Sequence, residues 1–273
     1  MRVGPYELEH VLGQGGMGTV HAARHRLLGS RVAIKELHHP DPAARALLLD
    51  EARLLFGRKH PSFPTVLDLV EAHGRAWLVM DFVEGPTLRA VAEARPLLPA
   101  ETILLGQGLC GALEYLHAGG VLHRDVKPDN ILLPRGLADP VLVDLGIAGR
   151  VGSSGAVAFT PGLAPPEQEQ GLPCTAASDV YQVAATLLWC ATGTLPPGAS
   201  SRHHDDDLGA GFAGLNARAP GLAATLAHGL RLAPALRPLS ARALAAALGR
   251  AAAPVPAPPL QAAPRRGMFD IRR

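Results

Sequence analysis

The sequence predicts an α+β protein in two parts, a small antiparallel β-sheet carrying one main helix followed by a mainly α-helical part. Three observations predict it. Up to Met80, short apolar runs bounded by Gly, Pro or charged residues read as strands. Beyond Gly85-Pro86 the apolar residues recur at helical spacing instead. The 273 residues are enough for one large domain or two closely packed lobes with a sizeable core.

Taken in order, the strand runs are Tyr6 to Leu12, Thr19 to Ala23, Arg31 to Leu37, Val66 to Ala72 and Trp77 to Met80. One helix interrupts them: Asp41-Pro42 supplies an N-cap and a first-turn proline, and Leu47, Leu48, Leu54 and Leu55 follow near helical spacing. In the second part, Leu105, Leu109, Ala112, Leu113 and Leu116 form one stripe, and Val180, Val183, Ala184, Leu187, Leu188 and Ala191 another. This divides a domain over 1–250 into a first part, about 1–83, and a second, about 84–250. From Ala251 the chain turns proline-rich, so 251–273 is expected to be a flexible tail, with a docking peptide as its functional rival.

Composition excludes several classes. Lys plus Arg number 26 against 24 for Asp plus Glu, a net charge of +2, too balanced for nucleic-acid binding by bulk electrostatics. Cys110, Cys174 and Cys190 are odd in number and lack C-x-x-C spacing, which argues against disulfides or a zinc knuckle and fits a reducing cytoplasm. Neither a signal peptide nor a membrane span is expected. His203-His204-Asp205-Asp206-Asp207 follows Pro196-Pro197-Gly198 and reads as a solvated loop able to attract a basic segment, rather than a metal site.

The chemistry gathers in four segments. Gly13-Gln14-Gly15-Gly16-Met17-Gly18 lies between two strands, where glycines let a hairpin bring backbone N–H groups close to phosphate oxygens. Alone this is a weak signal, shared with dinucleotide-binding turns, but a strand follows it rather than a helix. Val32-Ala33-Ile34-Lys35 places one ammonium among apolar neighbours, a dry wall with a point charge, and Glu51 in the following helix could hold it. The sharpest segment is His123-Arg124-Asp125-Val126-Lys127-Pro128-Asp129-Asn130. There Asp125 can accept a hydroxyl proton, Lys127 can neutralise a transferring phosphoryl group, and Asn130 offers a metal-seeking oxygen. Val141-Leu142-Val143-Asp144-Leu145-Gly146 then ends an apolar strand in a carboxylate suited to Mg²⁺.

In order and spacing these segments resemble the signature set of the protein kinases, and the style is most similar to the bacterial eukaryotic-like (Hanks-type) Ser/Thr kinases. Thr160 to Gln168 resembles the substrate-binding and A-P-E region, Ser178-Asp179-Val180-Tyr181 the start of the central helix, and Arg237 the buried partner of Glu167. The resemblance covers about 6–250. It implies a bilobal fold with ATP in the cleft and a hinge over Met80 to Gly85. Asp81 and Val83 would bind adenine through backbone groups, Leu12, Val20, Ala33 and Leu132 would enclose the ring, and Met80 would gate the pocket behind it. Gly13, Gly15 and Gly18 would line the phosphates. Lys35, held by Glu51, would grip the α- and β-phosphates, Asn130 and Asp144 would hold Mg²⁺ or Mn²⁺, and Asp125 with Lys127 would act on a protein Ser or Thr hydroxyl.

The pattern departs from the family at Leu145 for the commoner Phe, at Phe159 for a Gly, and at Pro165 for an Ala. Ser153 or Ser154, once phosphorylated, could pair with Arg124. Two rivals to the active protein kinase are a nucleotide-binding scaffold of pseudokinase type and a small-molecule phosphotransferase. The intact Lys35, Glu51, Asp125, Asn130 and Asp144 set weighs against the first, and Thr160 to Glu167 with Arg237 against the second. Regulation is expected from a partner protein or a second copy of the chain.

Overall fold

The apolar runs of the first part close into one six-stranded antiparallel sheet. Its strands are β1 Arg2–Val3, β2 Tyr6–Gly15, β3 Gly18–His25, β4 Arg31–Leu37, β5 Val66–Ala72 and β6 Arg75–Asp81, in the spatial order β1-β2-β3-β4-β6-β5. The computed structural model describes residues 1–15, 18–37, 56, 59–144, 149–150, 159–202 and 207–252. The expected helix after Pro42, Glu51 within it, and the tail from 253 onward lie outside the described residues. Strand β1 carries too few residues to show a period-2 pattern, so the sequence reading missed it; its Val3 is nevertheless fully buried.

Register decides what each sheet face does. Lys35 pairs with Val20 and Leu78, and Ala33 with Ala22 and Met80, so Val20, Ala33, Lys35, Leu78 and Met80 share one face. Residues one step along, Val32, Ile34, Trp77 and Val79, face the other way and pack with Val3, Tyr6 and Ala23 in a separate small core. The first face is not closed on itself: Ala33, Leu78 and Met80 belong to the same buried cluster as the helices of the second part. A lysine on that face therefore points toward the boundary between the two parts.

The second part contains helices α1 Leu88–Ala94, α2 Pro99–Ala118, α3 Pro166–Glu169, α4 Ala176–Thr192, α5 Ala210–Arg218, α6 Pro220–Gly229 and α7 Ala241–Ala251. Among the described residues it also contains four short strands, β7 Val121–Leu122, β8 Ile131–Leu132, β9 Val141–Leu142 and β10 Gly149–Arg150. Helix α4 is the hub. Every residue from Ala177 to Ala191 is buried, so the apolar stripe read from the sequence understates it: the helix is covered on all sides. It starts on a Thr175–Ser178 cap, with the Thr175 N–H donating to Ser178 Oγ at 3.0 Å, and ends on Gly193 at φ 74°, where a side chain would be strained. Helix α7 runs to Ala251, one residue into the expected tail.

The two parts are joined by the extended segment after Asp81. Gly85 is needed there, because a Cβ would lie 2.9 Å from the Pro134 backbone. The N–H of Leu133 donates to the Pro86 carbonyl at 3.0 Å, and Thr87 bridges to Leu132. This α+β, two-lobed architecture is the one the sequence predicts. No helix among the described residues is long and apolar enough to cross a membrane.

Candidate active site

The site forms where the inner sheet face meets the loops between α2 and α3. From the sheet comes Lys35, 3% exposed, whose Nζ donates to Asp144 Oδ1 at 2.6 Å. Glu51, the expected partner of Lys35, lies outside the described residues; Asp144, 109 positions away, is a carboxylate that Lys35 meets in the structure. Around the lysine, Val20 is half-buried, while Ala33 and Met80 are buried. Gly13 pairs with Val20 and Gly15 with Gly18, so these glycines continue the β2–β3 ladder beyond Val20. Leu12 falls in the register shift between Val11 and Gly13 and is exposed. Asp81 closes β6, its N–H bonded to the Thr65 carbonyl and its carboxylate accepting from the Thr65 N–H. Val83 follows in the extended joining segment, and half-buried Leu132 sits beside that segment through Thr87.

The second contribution is the loop from His123 to Asn130. Lys127 Nζ lies 2.7 Å from Asp125 Oδ2, and Asn130 Nδ2 donates to the same oxygen at 2.8 Å and to the Asp125 carbonyl at 3.0 Å. The three side chains that the sequence singled out are thus one hydrogen-bonded cluster. A proline-started 3₁₀ turn, Pro128–Asn130, curls the chain so that Asn130 reaches back to Asp125. Asp129, between them, is exposed and is gripped by Arg89 of α1 at 2.5 and 2.8 Å, which holds its carboxyl below the usual range.

Two fully buried groups beneath the loop anchor it. Asp179, on the first turn of α4, accepts from the backbone N–H groups of His123 and Arg124 at 2.9 and 2.8 Å and pairs with His117 Nε2 at 2.7 Å. Burial works to raise the Asp179 carboxyl, but His117 and the backbone N–H donors outweigh it and hold the carboxyl below its ordinary value. His123 is the reverse case: burial, against the pull of Asp179, Asp125 and Asp144, pushes its imidazole down and keeps it neutral. Asp179 enters the family resemblance only as part of the start of the central helix; its anchoring bonds emerge from the fold. The signal in the sequence is a charged residue, Asp179, close to the apolar stripe that begins at Val180.

Asn130 and Asp144 are brought together by backbone pairing. Strands β8 and β9 match Ile131 with Leu142 and Leu132 with Val141, and the Val143 N–H donates to the Asn130 carbonyl at 2.9 Å, which puts Asp144 next in register. Because Asn130 Nδ2 is directed to Asp125, its amide oxygen is turned away from that residue. A carboxylate and an amide oxygen are hard donors of the kind Mg²⁺ takes, so the residues fit that ion. Both flanks of the site are strained: Arg124 at φ 66° and Asp144 at φ 63° lie in the left-handed region, at a cost of about 1–3 kcal/mol each.

Farther out, Glu167 of α3 is held as the sequence predicted. Arg237 donates to both its carboxylate oxygens at 2.7 and 2.9 Å, and Ser178 Oγ adds a bond at 2.7 Å. Thr160 contributes its carbonyl, which accepts from Leu163 and Ala164. Phe159 is exposed. Leu145, Ser153, Ser154 and His203 to Asp206 lie outside the described residues, while Asp207 caps a turn by accepting from the Gly209 N–H at 2.8 Å. All three cysteines are free and buried; burial raises the Cys174 thiol and pushes Cys110 and Cys190 up to about 12, so none is activated.

A sheet lobe and a helical lobe, meeting at a lysine, a loop aspartate and a carboxylate–amide pair, define a kinase-type phosphotransfer fold. The protein kinase domain model matches residues 6–210, more than half of the chain, and the chain belongs to that family. Its relatives are bacterial, as the motifs suggested. It is 37% identical over 199 residues to the probable serine/threonine-protein kinase SCO3848 of Streptomyces coelicolor, covering 67% of this chain and 29% of that protein. It is 35% identical over 207 residues to serine/threonine-protein kinase pkn2 of Myxococcus xanthus, covering 71% and 25%. The crystal structure of the PknI kinase domain of Mycobacterium tuberculosis superposes with a TM-score of 0.69 at 27% identity, covering 93% of this chain and 98% of that one. The chain thus spans between a quarter and a third of these two curated relatives.

Proposed function

We propose that the chain is an ATP-dependent serine/threonine protein kinase, transferring the γ-phosphoryl group to Ser or Thr hydroxyls of proteins and of itself. The observation that carries this reading is the convergence of Lys35–Asp144, at 2.6 Å, with the Asp125–Lys127–Asn130 cluster at the lobe boundary. Lys35, steadied by Glu51, holds the α- and β-phosphates. Leu12, Val20, Ala33, Met80 and Leu132 enclose the adenine, the Asp81 and Val83 backbone reads its edge, and Gly13, Gly15 and Gly18 let the hairpin approach the phosphates. Asp125 accepts the hydrogen bond of the incoming hydroxyl and takes its proton as the oxygen attacks the γ-phosphorus; the bond from that phosphorus to the β,γ-bridging oxygen breaks, and ADP leaves. Lys127 offsets the charge that spreads over the phosphoryl oxygens. Asn130 and Asp144 would hold Mg²⁺ or Mn²⁺, which when bound neutralises phosphate charge.

Residues 1–250 form the kinase domain in this reading and 251–273 a tail. In this reading the protein works in the cytoplasm, where ATP is at hand and free cysteines stay reduced, with protein substrates as its main partners and regulation through a partner or a second copy. The test is transfer of γ-labelled phosphate to the purified chain and to a basic generic protein with Mg²⁺ or Mn²⁺, followed by phosphoamino-acid analysis. Label on serine or threonine, absent with Asp125→Asn, is the expected result. Tight ATP binding with no transfer would replace this reading by a nucleotide-binding scaffold.

A further inference from the structure

Asp179 holds the N–H groups at the start of the His123–Asn130 loop, but the peptide groups flanking Asp125 on either side end elsewhere. The Arg124 carbonyl accepts from Gln182 Nε2 at 2.5 Å and from Gln168 Nε2 at 3.0 Å. The Val126 N–H donates to Gln182 Oε1 at 3.0 Å, and the two glutamines are tied to each other, Gln182 Nε2 to Gln168 Oε1, at 2.9 Å. Both are 3% exposed. Thr186 completes the set by donating to the Val126 carbonyl at 3.2 Å.

The residue so held is Arg124, a large side chain at φ 66°. A left-handed non-glycine residue persists where its surroundings over-determine it, and two donors on one carbonyl do so. Primary amides suit the task. Gln182 must accept from one peptide and donate to another, which neither a carboxylate, a lysine nor an apolar side chain can do. Gln168 stands beside Glu167 on α3, in the segment that follows Thr160, so the same contact joins that segment to the loop.

We propose that Gln168 and Gln182 are positioning residues, a paired-amide clamp that locks the Arg124 peptide and thereby sets the aim of Asp125. The proposal rests on the kinase reading above for its effect on transfer, and on geometry alone for its effect on the loop.

Gln168→Leu, Gln168→Glu and Gln182→Leu test it, with phosphate transfer and amide hydrogen exchange over 123–126 as parallel readouts. Gln168→Leu is expected to lower kcat about tenfold, with KM for ATP within about twofold of wild type, and to speed exchange across the loop about tenfold. In Gln168→Glu the side chain still accepts from Gln182 but donates to Arg124 only when protonated. As the pH falls toward the range in which a buried carboxyl protonates, its transfer relative to wild type is therefore expected to recover, with the far-UV circular dichroism and the melting profile unchanged across the same range; recovery that only follows regained folding would mark a structural role. Should Gln182→Leu fail to fold, Gln168→Leu, which removes fewer bonds to the loop, decides. Wild-type transfer and wild-type exchange in a folded Gln168→Leu would overturn the clamp. An inactive wild type would overturn the kinase reading, leaving exchange at 123–126 to decide the clamp by itself.

Discussion

Two lysine–aspartate pairs of nearly equal length serve this site, and they are built differently. Lys127 and Asp125, 2.7 Å apart, are near neighbours on one loop and partly open to solvent. Lys35 and Asp144, 2.6 Å apart, come from different lobes, with the lysine 3% exposed. The first pair forms whenever α4 holds its loop, through Asp179, Gln182 and Thr186. The second exists only when the inner sheet face and the end of β9 meet. Equal chemistry thus reports on different things, local folding in one case and the arrangement of the lobes in the other.

The largest expected effect falls on the local pair. Asp125→Asn keeps the shape and the Asn130 contact but cannot take a proton, so transfer should fall about 10³-fold while KM for ATP stays within about twofold. Steady-state kinetics check it. Lys35→Met should lower kcat about 10²-fold and raise KM for ATP about tenfold, because it removes a buried charge from the phosphate site. A Lys35→Met protein with unchanged KM for ATP would break the division of labour between the pairs.

A second contrast sharpens the point that setting outweighs partner identity. Arg237–Glu167 and Arg95–Glu101 are both two-pronged arginine–carboxylate contacts. Arg237 is buried, with further bonds to the carbonyls of Ala177, Arg231 and Leu232, so Arg237→Ala leaves a buried carboxylate uncompensated. It should cost about 3–5 kcal/mol, read as a large fall in Tm. Arg95→Ala, at a pair whose arginine is exposed at the surface, should leave Tm nearly unchanged even though Arg95 holds the Glu101 carboxyl down to about 2.

The smallest effect is that of pH. His123 is buried with its pKa lowered, so the unfolded chain binds a proton that the folded one refuses. Its contribution is complete above about pH 6.5 and is lost as pH falls below that value through the folded pKa. Asp179, also lowered, contributes above about pH 4 and is lost only under it. Thermal melts from pH 7 downward should show the first decline, and His123→Phe should flatten it.

Much of this could be read from the sequence because it depends on local spacing. Short apolar runs bounded by charged residues marked β4 and β6, and with them Ala33, Lys35 and Met80; the crowding of charge in 123–130 marked the loop. What escaped depends on tertiary register. Lys35 meets Asp144 across 109 positions, a contact no period encodes. Gln168 and Gln182 read as ordinary polar residues until the fold buries both against the Arg124 carbonyl. Strand β1, only two residues long, offers no alternation to detect.

The most direct test of the division between the two pairs is ATP affinity, measured by calorimetry with Mg²⁺, in Asp125→Asn and Lys35→Met beside wild type. Wild-type affinity in Asp125→Asn with weakened affinity in Lys35→Met is the predicted result. Equal weakening in both, or weakening only in Asp125→Asn, would contradict the account.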